Sequence, residues 1–152
     1  MPARGTIGMA LYQGDGAATE SFAKVAGVTG LRELMGATAN AIDTTTIEDL
    51  YRTFMGGLID PGSVGFDILY DPEDGSHDDT TGLLSKMEAA GTTHNFALKF
   101  STLDPVQWFT FSGVVTNFAP NANLDDAMRA SVTIKVSGKP TFTGTAPNGA
   151  GA

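Results

Sequence analysis

Seven of the seventeen carboxylates of this chain lie between Asp60 and Asp79, and no Lys or Arg occurs from residue 53 to residue 85. Acid at that density could hold a hard cation, but the spacing does not fit a calcium loop of the EF-hand kind. With Gly75 at the sixth position, Tyr70 and Pro72 fall where the first and third oxygen ligands belong. An irregular ligand or metal site on the loop 71–79 stays open as an alternative. A glycosidase-type acid and base could be drawn from Asp71, Glu73, Asp74, Asp78 and Asp79, yet these crowd one loop instead of facing each other across a cleft. His77 and His94 are the only histidines, seventeen residues apart, so a zinc site would need distant carboxylates to complete it. The plainer expectation is that His77 sits in solvent, that His94 begins a strand and that the acidic stretch is a solvated loop.

Other reactive constellations are missing from the sequence. There is no cysteine, hence no thiolate nucleophile, thiolate metal site or disulfide framework. No phosphate-cradling Gly-rich loop with Lys, nucleophile elbow or dinucleotide fingerprint is present. Trp108, Phe109 and Phe111 have the makings of a base-stacking platform, but such platforms accompany a positive groove, and this chain has nine Lys and Arg and a net charge of −8. Counterion release by a basic surface is not available to it. The three aromatics are expected in a core or a subunit interface. No catalytic residue, cofactor or metal ligand is assigned, and an enzyme is not expected.

The elements that would carry these residues are mostly strands. At 152 residues with 41% hydrophobic and 17% charged side chains, the chain suits one domain of unusually low charge, which hints at burial between subunits. Residues 5–13 read as a strand or an extended arm with Ile7, Met9 and Leu11 on one face, the Gly content favouring the arm. Glu20 to Val28 reads as a strand broken by Gly27 and Gly30. From Thr45, the spacing of Ile47, Leu50, Tyr51, Phe54 and Leu58, with Thr45 and Glu48 as a capping box, predicts a short helix ending at Gly56-Gly57. Asp60-Pro61-Gly62 then makes a turn into a strand with Val64, Phe66, Ile68 and Tyr70 on one face.

A second helix is predicted on Leu83, Leu84, Met87 and Ala90, with Asp79 or Thr80 as cap and Gly91 as its stop. Three strands follow: 93–101 with Phe96, Leu98 and Phe100 inward, 106–118, and 128–137 with Met128, Ala130, Val132, Ile134 and Val136 on one side. The expected fold class is mainly β, an antiparallel domain with one or two short helices. The domain is expected over residues 1–143, N-terminal arm included, with a flexible tail at 144–152, whose Gly, Ala and Pro cannot bury enough to offset ordering. No apolar run reaches the length of a membrane span or a signal h-region, so a soluble, unsecreted chain is expected.

A set of segments in order carries a family likeness. Tyr51-Arg52-Thr53-Phe54 leads into Gly57-Leu58 and then Asp60 and Gly62. The strand through Phe66 ends at Tyr70-Asp71-Pro72. Trp108 opens the stretch in which Phe111, Gly113, Val115 and Phe118 recur, and 132–140 reads Val-Thr-Ile-Lys-Val-Ser-Gly-Lys-Pro. Over about Ala41 to Pro140 this resembles the tail tube protein of long-tailed, siphovirus-type bacteriophages. The resemblance implies a β-sandwich or small barrel flanked by a helix, hexameric rings stacked into a hollow tube, and DNA that passes through the lumen without specific binding. It further implies contacts with tape-measure, tail-tip and tail-terminator proteins, no membrane, assembly in the bacterial host cytoplasm and a final place in the virion tail. The thirteen residues Tyr51, Phe54, Gly57, Leu58, Asp60, Gly62, Phe66, Tyr70, Trp108, Phe111, Gly113, Val115 and Phe118 are its signature and assembly candidates. Loops 5–16, 30–46 and 71–79 are expected to order on stacking, and the immunoglobulin-like domain that some relatives add is not expected here. The tube protein of a type VI-like or other contractile secretion system is the neighbouring reading.

Overall fold

The computed structural model describes residues 9–16, 19–34, 36–78, 81–88, 91–100, 107–122 and 126–147. In chain order the elements are β1 (Ala10–Gly14), β2 (Phe22–Lys24), β3 (Val28–Leu34), β4 (Thr38–Asp43), β5 (Phe54–Asp60), β6 (Ser63–Leu69), α1 (Leu83–Glu88), β7 (His94–Lys99), β8 (Trp108–Asn121) and β9 (Arg129–Thr143). Every strand pairing is antiparallel. Seven strands form one sheet in the order β2-β1-β7-β8-β9-β6-β3, and β4 and β5 form a separate two-stranded sheet. The protein is mainly β, as its strand patterns predict.

The order of the large sheet forces it to curl. Its two margins, β2 and β3, are consecutive in the chain and joined only by residues 25–27, a span of at most about 14 Å from Lys24 to Val28. Laid flat, seven strands would hold those margins about 29 Å apart. The connection also staples the margins by hydrogen bonds: the Val25 amide donates to the Leu11 carbonyl of β1, and the Gly27 carbonyl accepts from the Leu69 amide of β6, each at 2.8 Å. Gly27 is a required glycine, with φ 73° and no room for a Cβ against the Leu69 carbonyl. Between β1 and β3 the curl leaves a cleft walled by Leu11, Leu31 and Leu98.

Period-two alternation places the core inside this curl. Val64, Phe66 and Ile68 of β6, Phe96 and Leu98 of β7, Phe109, Phe111 and Val115 of β8, and Ala130, Val132, Ile134 and Val136 of β9 are all buried together. Leu11 of β1, Val25 of the β2–β3 connection and Leu83 of α1 complete the cluster, with Met87 packed against it. A smaller cluster lies outside the sheet, where Trp108 and Ala97 are buried under Tyr12 and Phe22. The Tyr12 and Trp108 rings are 5.3 Å apart, and the Lys99 ammonium lies 5.9 Å from the indole centre. Trp108, Phe109 and Phe111 are thus core residues.

Several expectations need correction. The helix predicted from Thr45 does not form: residues 44–53 are a loop between β4 and β5, and Phe54 and Leu58 lie in β5. Its polar residues satisfy the backbone without a helix. The Thr45 amide donates to Asp43, the Thr46 amide to Asp49, and the Thr53 amide to the Thr45 hydroxyl. A helix that short also needs a surface to pack on, and its would-be apolar face has none. The stretch 30–46, read as a loop, holds most of β3 and all of β4. Gly30 does not end its strand but sits at a register shift, where a bulge absorbs it. Leu11 is a buried strand residue, and residues 10–13 are strand and not arm. Met128 is exposed and precedes β9. The predicted caps at 79 and 80, the arm at 1–8 and the end of the tail at 148–152 lie outside the described residues.

Candidate functional site

The acidic loop resolves into turns. The Asp71 carboxylate accepts the Glu73 amide, Asp74 accepts the amide and hydroxyl of Ser76, and Asp78 accepts the amides of Thr81 and Gly82 just ahead of α1. The Ser76 hydroxyl and amide hold the Asp74 carboxyl below the usual carboxylate range. His77 is not in solvent, contrary to expectation. It is 1% exposed, its Nε2 lies 2.5 Å from the Ala26 carbonyl and its Nδ1 accepts the Asp71 amide at 3.2 Å. Those partners assign the proton to Nε2. The ring thereby ties the loop to the β2–β3 connection. Among the described residues no three His, Asp or Glu converge as a metal site. His94 opens β7, opposite Gly113.

The feature without an internal explanation is the β4–β5 hairpin. Ile47, Leu50 and Leu58 are 104%, 96% and 90% exposed, and Tyr51, Phe54, Met55, Ile42 and Ile59 are exposed around them. A two-stranded hairpin is marginal in water by itself, and an apolar patch of this extent marks a surface that another molecule covers. Its root is fixed firmly. The Asp60 carboxylate accepts the Gly62 amide at 2.9 Å and the Lys135 ammonium at 2.5 Å. These two contacts, the Lys135 hydrogen bond foremost, hold its carboxyl below the usual range. Gly62 has φ 88°, and its carbonyl accepts the Val136 amide of β9. Where the hairpin leaves the barrel, an apolar groove runs between Ile59 and Pro61 on one side and Pro140 and Phe142 on the other, with Lys139 on its rim.

The thirteen sequence candidates separate on this scaffold. Tyr51, Phe54 and Leu58 are exposed on the hairpin, with Gly57 between them half-buried over Asn40. Asp60 and Gly62 make the root turn. Phe66, Trp108, Phe111, Gly113 and Val115 are buried in the barrel, and a Cβ on Gly113 would strike the Lys135 carbonyl. Tyr70 and Phe118 are half-buried and meet edge-on, ring centres 5.3 Å apart. Sequence reasoning missed Met55, Ile59, Phe142 and Lys135. The signal for the first two was alternation across Phe54 to Ile59, where both faces are apolar and neither fits a half-buried strand.

A curled sheet around a buried core, a loop whose Asp71, Asp74 and Asp78 cap its own turns and an apolar exposed hairpin describe a building block whose working surface is an interface. The chain belongs to the phage tail tube (TTP), lambda-like family, whose model matches residues 3–104. It is a structural tube subunit. The fold also matches solved structures at low identity. A chain from the tail of an empty gene transfer agent particle with C6 symmetry aligns at TM-score 0.64 and 16% identity, covering 88% of this chain and 95% of that one. The SPP1 tail tube aligns at TM-score 0.63 and 15% identity over 95% of this chain and 80% of its own. A chain from the sheath/tube terminator of an extracellular contractile injection system aligns at TM-score 0.65 and 10% identity, with 94% and 98% covered. No curated protein matches the chain by sequence.

Proposed function

We propose that copies of this chain close into six-membered rings and that the rings stack into the hollow shaft of a siphovirus-type tail, the conduit for DNA ejection. The observation that carries this reading is the hairpin, whose apolar residues are exposed although the same chain has a well-buried core elsewhere. Family membership and the likeness to a chain from a C6 tail support the ring. Sheet margins β2 and β3, together with the hairpin, are the surfaces that neighbouring subunits would cover. The assembly residues among the thirteen are Tyr51, Phe54 and Leu58; the buried ones keep the barrel in shape.

The net charge of −8 per chain gives a ring a strongly negative field, which suits a bore that lets a duplex slide. The shaft would surround a tape-measure protein and end on tail-tip and terminator proteins, assembled in the host cytoplasm and ending in the virion. No reaction is catalysed. In this scheme residues 1–143 act as one domain, and 144–152 orders against a neighbour. The likeness to an injection-system chain supports a second reading within the same class, a contractile or type VI-like tube. Ligand binding on the loop 71–79 is disfavoured, because Asp71, Asp74 and Asp78 already serve its turns.

Negative-stain electron microscopy with light scattering at rising concentration tests the proposal. Six-fold rings or hollow tubes are the expected result. A chain that stays monomeric at every concentration, and also on a tail-tip complex, would sink it.

A further inference from the structure

Lys86 is a charged side chain carried inward. It follows Leu83 by three residues on α1, so the two share a helix face, and because Leu83 is fully buried Lys86 is left only 7% exposed. It lines a polar pocket of ≈ 320 Å³ where the end of β1, β2 and the turn at Asp74 meet, together with Gln13, Asp15, Lys24, Asp74 and Ser76. An ammonium has three N–H donors. Among the described residues one of them is used, by the Thr81 carbonyl at 3.3 Å. Keeping a cation enclosed with donors to spare is costly. Burial accordingly pushes the Lys86 amine below the usual lysine range, against the opposing pull of the Glu20 and Asp15 carboxylates. The nucleophilic free amine is therefore more available here than on an exposed lysine. We propose that Lys86 is a covalent capture site for small uncharged aldehydes, which it holds as a protonated imine.

The reaction balances without an oxidant, a reductant or a metal. The ammonium gives up a proton, and the free amine adds to the aldehyde carbon to form a carbinolamine. Its hydroxyl then takes a proton and leaves as water while the nitrogen lone pair closes the C=N bond. One aldehyde enters, one water leaves and the positive charge stays on nitrogen.

Three features of the pocket favour that product. A protonated imine has one N–H, and the Thr81 carbonyl is one acceptor, so the surplus donors of the ammonium are removed. Because the charge is kept, the attraction of Glu20 and Asp15 is kept with it. The lining sets Lys24 and Lys86 against Asp15 and Asp74, a balance that selects neither an anion nor a cation and suits a neutral ligand. Gln13, 5% exposed on the same wall, has an Oε1 without a donor, and the carbinolamine hydroxyl would supply one. The inference goes beyond the tube reading and does not depend on it.

Propanal with cyanoborohydride tests this on the full chain, since the reductant fixes each imine as a secondary amine that peptide mapping by mass spectrometry locates. At about pH 7 Lys86 should be alkylated at least about tenfold faster than Lys24, Lys99, Lys135 or Lys139, and the lead should shrink toward about pH 10 as the other lysines lose their protons. In concentrated urea the lead should vanish, which checks the pocket without any variant that must fold. Lys86→Arg should abolish the early adduct and leave the other four lysines at their parent rates. The proposal is overturned if Lys86 reacts no faster than the other lysines, if its lead survives urea, or if the lead is the same at both pH values.

Discussion

Lys135 and Asp60 join the exposed hairpin to the barrel: the ammonium lies 2.5 Å from the carboxylate oxygen that also accepts the Gly62 amide. Lys135 stands on β9 directly opposite Ser63, while Asp60 is the last residue of β5. The pair therefore clamps the root at the point where the chain turns from the hairpin into the core strand β6. Both side chains are largely exposed, so the contact orients the hairpin more than it stabilises the fold.

Asp60 should titrate below an ordinary aspartate, first because Lys135 donates to it and second because the Gly62 amide does. A depressed folded value means that its contribution is present above the ordinary aspartate range and lost as pH falls through the lowered value. Carboxyl NMR titration should show the Asp60 value moving back toward normal in Lys135→Met. An unchanged titration would show that the clamp is not closed in solution.

Gly62→Ala should destabilise the domain by about 1–3 kcal/mol. The residue has φ 88°, and an added Cβ would fall 2.3 Å from the Gly36 backbone nitrogen, which cannot swing away as a side chain can. Gly30→Ala is the control. Nothing lies within 4 Å of a Cβ there, so its effect should stay within about 1 kcal/mol and lean toward stabilisation. Urea unfolding of the two variants side by side decides the point.

His77→Ala should cost about 2–4 kcal/mol, because it leaves the Ala26 carbonyl and the Asp71 amide without partners. Amide hydrogen exchange should localise the loosening to the loop 71–78 and the 25–27 connection that the ring ties together. Exchange raised uniformly over the barrel would instead make His77 a general core residue.

The barrel was legible because its strands obey one rule. Phe66, Phe96, Phe109 and Val132 recur at period two with turn residues between, and burial follows that alternation. The hairpin was misread for a physical reason. Ile47, Leu50 and Phe54 fall at helical spacing in a loop and a strand whose exposed side chains are not tied to a core of their own chain. A single chain's periodicity reports its own core and is silent on another's. His77 was misplaced because nearby acid suggested solvent, whereas Asp71, Asp74 and Asp78 turn outward around it to cap turns. Tyr51, Phe54 and Leu58 became assembly candidates through the resemblance, while their spacing alone pointed to a helix that does not form.

Two substitutions should separate folding from assembly. Phe66→Ala removes a fully buried ring from the centre of β6 and should cost about 3–5 kcal/mol, enough to threaten a domain of this size. Leu50→Asp alters a side chain that is 96% exposed, so the monomer's unfolding free energy should move by no more than about 0.5 kcal/mol. Its effect on association should be the opposite of small, because a charge would enter an apolar contact with no partner there. The expected pattern is a Leu50→Asp chain that unfolds like the parent but forms no rings or tubes by light scattering and microscopy. If Leu50→Asp assembles normally, the hairpin tip is not covered by a neighbour. If it unfolds early, Leu50 is packed within its own chain and the hairpin is part of the fold, not an interface.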